Sequence, residues 1–300
     1  MLHWLTDPYQ SQFMRHAGAV ALLVGVLSPA VGVWIVLRRL AYMGDAMSHA
    51  TLAGVAAAYL LGYSIILGAL AAGLVMGAAV ALLSTHRRLG ADAIIGIVET
   101  GLFALGVILI TNSDNIGIDL SHFLFGQITT VTATDLTTNA ALAAVALAGI
   151  ALSFGDLRMT TFDPQHASQV GVRVGTQRFV LLVALSIAIV VCLSTVGILM
   201  SIAMLVVPAS TAGMLTHRVT TMTFAAIGIG ATASLGGLTL SYHLASPPGA
   251  TIALVAVAIC VAVFLGTSSA ASTGSARTSA RLVHAARLGR RRATPQRVKA

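Results

Sequence analysis

Residues 38–54 read RRLAYMGDAMSHATLAG and carry more chemistry than any other run of the chain. Asp45 and His49 stand four apart, which on a helix is about 40° of rotation and about 6 Å of rise, so both side chains share a face. A carboxylate and an imidazole so placed can hold one divalent cation between them. The same spacing also fits Asp45 as a helix cap with His49 bonded to a neighbouring helix. Arg38 and Arg39 close one long apolar run, and a second begins just beyond them. An ionisable group deep in a bilayer costs about 2.5–3.5 kcal/mol on insertion scales, so the pair is a functional candidate by its position. Glu99, in IGIVETGLFALG, is the second acid inside an apolar run. It must face the bundle interior or a wet cavity. There it is a candidate for a cation path, or else the hydrogen-bond partner of a Ser or Thr on another helix.

The elements that must position these groups follow from composition. Hydrophobic residues make up 57% of the chain and charged ones 9%, with a mean hydropathy of +0.92. Such a chain is an all-α polytopic membrane protein, a bundle of eight or nine transmembrane helices. Apolar runs of spanning length fall near 16–37, 46–63, 64–85, 93–111, 136–154, 178–195, 196–216, 221–243 and 248–266. With nine spans and an external N-terminus, Arg38, Arg39, Arg87, Arg88, Arg158, Arg173, Arg178 and Arg218 all fall in cytoplasmic connections, as the positive-inside rule requires. Asp7, Asp114 and Asp119 collect on the other side with Arg15. Merging two runs, most simply within 178–216, gives the eight-span alternative.

The formal charge of +8 sits almost wholly in residues 267–300, which hold seven Arg and Lys299 and no acid. Residues 1–266 thus read as the membrane domain and 267–300 as a basic, disordered cytoplasmic tail attracted to anionic lipid. Nothing here marks a nucleic-acid-binding face. Cys192 and Cys260 lie in apolar runs and read as packing residues. Gly68, Gly73 and Gly77 form a packing stripe on the third run, and Pro208 is expected to kink its helix. In the external connection 112–135, LSHFLFG suits a short surface helix, with His122 read as a solvated loop residue.

The cytoplasmic connection 155–177 contains FDPQHASQVGVR. Asp163 suits an N-cap, Pro164 the first helical position and Gly171 the position past the end, which predicts a two-turn helix over about 164–170. A short helix presented there, through Gln165, His166 and Ala167, has the shape to dock in a groove on another protein. The chain has no G-x-x-x-x-G-K-[ST] loop, since Lys299 is its only lysine. Uphill transport must then use an ion gradient, with Glu99 as a proton site, or the ATP hydrolysis of a separate subunit. The docking helix favours the second.

Four blocks bear a resemblance on top of this reading: RRLAYMGDAMSHATLAGVA (38–56); FALGVILI with DLSHFLFG (103–126); FDPQHASQVGV (162–172); and VGILMSIAMLVVPASTA (196–212) followed by GLTLSYHLASPPGATIAL (237–254). Together they resemble the membrane permease subunit of bacterial ABC importers for zinc, manganese or iron. The resemblance implies a permease in the cytoplasmic membrane, without ATPase activity or cofactor of its own, the metal being its substrate. It further implies a cytoplasmic ATP-binding subunit, an extracytoplasmic metal-binding protein and a second permease protomer, taken here as identical. The family's D-x-x-x-H pair falls on Asp45 and His49, and its coupling segment on Asp163 through Gly171. Two positions depart. Ala53 stands where many relatives have Pro, which implies a straighter helix, and the position of Glu99 is usually apolar, so the family gives it no role.

Overall fold

The computed structural model describes residues 11–84, 90–111 and 132–268. Among the described residues eleven helices follow one another: α1 Gln12–Leu37, α2 Ala41–Leu60, α3 Ile65–Leu83, α4 Ala91–Thr111, α5 Ala133–Leu152, α6 Phe154–Phe162, α7 Pro164–Gln169, α8 Val174–Thr195, α9 Ile198–Leu215, α10 Val219–Leu244 and α11 Pro248–Ser268. Each of the nine apolar runs becomes one long helix, so the fold class read from the sequence holds. Seven of them have both the length and the apolarity of a membrane span. The other two are α2, which carries Asp45 and His49, and α9, the shortest of the nine. The break within 178–216 falls at Val196–Gly197, where Gly197 takes φ 87°, a left-handed conformation that a side chain resists. Beyond it α9 runs on through Pro208.

The segments holding Asp7, Arg87, Arg88, Asp114, Asp119 and His122, and the tail from residue 269, lie outside the described residues.

α1 and α8 form the centre of the bundle, with most of their lengths buried. Small residues set the distances around it. A methyl group on Gly54 would run into the Gly68 backbone carbonyl, and one on Gly68 into that of Gly54, so α2 and α3 touch backbone to backbone. A methyl on Gly106 would meet the backbone of Leu52 and Ala53, which draws α4 equally close to α2. The glycine stripe on α3 is divided between two partners: Gly68 serves α2, whereas Gly73 faces Ser186 and Gly77 faces Leu182 on α8. Cys192 is buried and shares a 3.0 Å hydrogen bond with Ser28, and Cys260 is a free, half-buried thiol.

One contact fixes which ends lie together. Arg38, in the turn between α1 and α2, donates from Nε to Thr161 Oγ1 (3.0 Å) and from a terminal guanidinium nitrogen to Thr160 Oγ1 (2.9 Å). The edge of Phe154 packs on Trp34 beside it, with ring centroids 5.1 Å apart. The α1–α2 turn, α6 and α7 therefore share one end of the bundle, the arginine-rich end that the positive-inside rule places in the cytoplasm.

Candidate metal centre

α2 starts abruptly because α1 stops in a Schellman turn. The Leu40 amide donates to Ile35 and the Arg39 amide to Val36, with Arg39 at φ 57° where glycine is the usual residue. From this turn α2 runs from Ala41 to Leu60. Asp45 lies about 6 Å, and His49 about 12 Å, along α2 from its start at Ala41. Against a hydrocarbon core of about 30 Å, the pair falls within the half of the span nearer the α1–α2 turn.

His49 Nε2 lies 3.5 Å from Asp45 Oδ1. Asp45 does not cap α2, which begins four residues earlier with Leu40 at its N-cap. Glu99 arrives from α4, and one ligand atom from each of Asp45, His49 and Glu99 lies within 4.8 Å of the other two. Tyr42, one turn before Asp45, donates its hydroxyl to Glu99 Oε2 at 3.0 Å. The serine or threonine partner considered for Glu99 is thus replaced by a tyrosine on α2. Phe103, one turn beyond Glu99, sets its ring edge-on to His49 with centroids 5.8 Å apart. Neither Tyr42 nor Phe103 is marked by the spacing of ionisable groups. Tyr42 and Glu99 are 57 residues apart, and only the docking of α4 on α2 joins them.

The face is neither sealed nor fully open. Asp45 and His49 keep 33% and 34% of their side-chain surface exposed, and Tyr42 is 44% exposed. Two carboxylates and one imidazole, with oxygen and nitrogen donors aimed at a common space, make a divalent-cation ligand set.

The other predicted group lies apart, at the cytoplasmic end. α7 forms as its sequence specifies: Asp163 accepts from the His166 amide at 2.9 Å and Pro164 takes the first turn. The helix ends in a Schellman motif, with Gly171 at φ 92°, its amide donating to Ser168 and that of Val172 to Ala167. Ala167 is buried, while Pro164, Gln165, His166, Phe162 and Val170 are exposed. α6 ties this end to the α1–α2 turn through Thr160 and Thr161, which accept from Arg38. Burial, and after it the charge of nearby Arg178, lowers the pKa of the Arg38 guanidinium from its ordinary value, so its threonine bonds carry a partly desolvated charge.

A bundle of apolar helices of spanning length, with an acid–imidazole face inside it and a capped helix at one end, has the build of a multi-pass membrane permease. The chain belongs to the ABC 3 transport family, whose model matches residues 10–267. It is 39% identical over 246 residues to the manganese transport system membrane protein MntC of Halalkalibacterium halodurans, covering 81% of this chain and 84% of that one. It is 34% identical to a probable iron transport system membrane protein of Haemophilus influenzae, covering 87% and 96%. In structure it is similar to PsaBC from Streptococcus pneumoniae in complex with Fab, with a TM-score of 0.80, 34% identity and coverage of 88% and 95%. The chain is accordingly the permease subunit of an ATP-binding-cassette importer that carries a divalent transition metal across the bacterial cytoplasmic membrane. Its ATPase is a separate subunit, and a substrate-binding protein is its other partner.

Proposed function

We propose that Asp45 and His49 bind the imported ion within the membrane, and that Asp163–Gly171 receives the ATPase. The ion is manganese(II) on the names of several relatives. The observation that carries the reading is the convergence of an acid and an imidazole from α2 with Glu99 from α4 around one space. Glu99 lies on the cation path. A polar face with a third of its ligand surface uncovered is costly against lipid, and a second identical protomer across a two-fold axis covers it and doubles the ligand set. Closure of the ATPases moves α7. That movement reaches α2 through α6 and the Arg38 bonds to Thr160 and Thr161, and opens the site to one side and then the other.

The test is manganese uptake by the complete transporter with Asp45→Ala and His49→Ala, assembly being checked by co-purification of the ATPase. Uptake falls by about a hundredfold or more while assembly persists, since each change removes one of few ligands. Uptake at the parental rate in the double variant overturns the metal-site reading.

A further inference from the structure

We infer that the groove between α5 and α8, at the cytoplasmic side of the membrane, binds one phospholipid with a primary-ammonium headgroup, a phosphatidylethanolamine. An acyl chain lies in the groove, the phosphate meets Arg173 and the start of α8, and the ammonium meets Asp156 and Gln177.

The groove is walled by apolar side chains of two spans, among them Val145 and Gly149 of α5 and Phe179, Val180, Ala184 and Ile187 of α8. Val145 and Phe179 are 63% and 60% exposed, so it opens away from the bundle. Its volume is about 180 Å³. At about 30 Å³ per methylene, the share of a water molecule in the liquid, that holds roughly six methylenes of a chain. Phe179 and Ile187 lie about 8 and 20 Å along α8 from its start at Val174. Against a hydrocarbon core of about 30 Å, most of the groove is in the cytoplasmic leaflet. An outward-facing apolar groove at that depth meets lipid tails.

Its cytoplasmic mouth carries charges of both signs. Arg173, Gln177, Val180, Ala184 and Ile187 follow at helical spacings of three and four, so the arginine and the glutamine stand on the stripe that walls the groove. Arg173 is exposed at the N-cap of α8, which has no side-chain cap and no acid in its first turn. Helix-start amides beside an arginine suit a phosphate. Gln177 is only 7% exposed. Its Nε2 donates to Asp156 Oδ2 at 3.1 Å, and its Oε1, also buried, has no hydrogen-bond partner. A buried carbonyl oxygen without a donor is uncommon, and it marks a group that is missing its partner.

The charges choose the headgroup. Asp156 and Gln177 Oε1 are acceptors and call for the N–H donors of a cation, whereas Arg173 calls for an anion. A phosphate joined to a primary ammonium answers both. A headgroup with only negative charge leaves Oε1 unpaired and sets its charge beside Asp156. A quaternary ammonium has no N–H to give. The bound lipid ties α5, α6 and α8 together at the end where α6 holds Arg38.

The test is native mass spectrometry of the complete transporter offered phosphatidylethanolamine, phosphatidylglycerol or phosphatidylcholine of the same chain length. We expect the ethanolamine lipid to be retained about tenfold better than either of the others. Gly149→Leu fills the groove without a backbone clash, since a methyl group there would lie 3.9 Å from Val180. It should release the lipid while the ATPase still co-purifies. Asp156→Asn should abolish the preference for ethanolamine over glycerol headgroups, and Arg173→Ala should weaken retention of both. Equal retention of the three lipids, or ethanolamine lipid retained unchanged in both Gly149→Leu and Asp156→Asn, overturns the site. A preference for phosphatidylglycerol overturns the ethanolamine assignment in favour of an anionic lipid. Loss of protomer association in Gly149→Leu, with lipid retention unaffected, makes the groove a protein interface and also overturns the proposal.

Discussion

The Asp45–His49–Glu99 face on α2 and α4 and the short helix α7 are built in opposite ways. α7 satisfies its own ends: Asp163 caps one, the Schellman turn at Gly171 closes the other, and only Ala167 is buried. It is local structure, specified within nine residues. The ligand face exists only because two helices meet, with Glu99 held by a residue 57 positions away and the contact set by a glycine pressed on backbone. α7 thus keeps its shape by local bonds, while the face on α2 and α4 depends on how those helices pack. Arg38, bonded to Thr160 and Thr161, is the described side-chain link between the α1–α2 turn and α6.

The contrast can be broken from either side. The largest effect is expected from Gly106→Val, which pushes α4 off the Ala53 backbone and separates Glu99 from α2. Manganese uptake should be nearly lost while the ATPase still co-purifies; normal uptake would mean that the close approach is not needed. Gly171→Val places a β-branched residue in the left-handed region, at a cost of about 1–2 kcal/mol or more. It should weaken ATPase docking, measured by pull-down, and leave manganese binding to the purified permease unchanged. Arg38→Ala removes both threonine bonds. Uptake should fall several-fold with binding and docking both intact, and ATP hydrolysis should lose its dependence on metal delivery. The smallest effect is Arg39→Gly, which relieves a left-handed non-glycine residue. It should raise thermal stability by about 1 kcal/mol or less with uptake unchanged.

The same division decides what the sequence discloses. The nine apolar runs, the Asp163–Pro164 start and the Gly171 stop of α7, and the Asp45–His49 face are readable because each depends on neighbours in the chain. Helix ends move by a few residues: α5 begins at Ala133 rather than 136, because Thr132 and Asp135 form a capping box in what reads as loop. α6 is not legible at all. It is a nine-residue helix of weak apolarity directly after a span, and its partners are Arg38 and Trp34, far away in the chain. The hydrogen bond from Tyr42 to Glu99 is hidden for the same reason. An acid in an apolar run advertises itself, but its partner is chosen by packing. The division of the glycine stripe between α2 and α8 is likewise a tertiary fact, since periodicity gives the stripe and not the neighbour.

The glycine-on-backbone contacts of α2 with α3 and α4 have a mechanical consequence. Helices locked by interleaved large side chains behave like meshed gears and can shift only by jumping a tooth. Where Gly54 lies on Gly68 and Gly106 on Ala53 there are no teeth at all, and the spacing of α2 from both neighbours is set by backbone against backbone. Any side chain added at these three glycines would therefore act as a wedge, prising α2 from the helices that flank it.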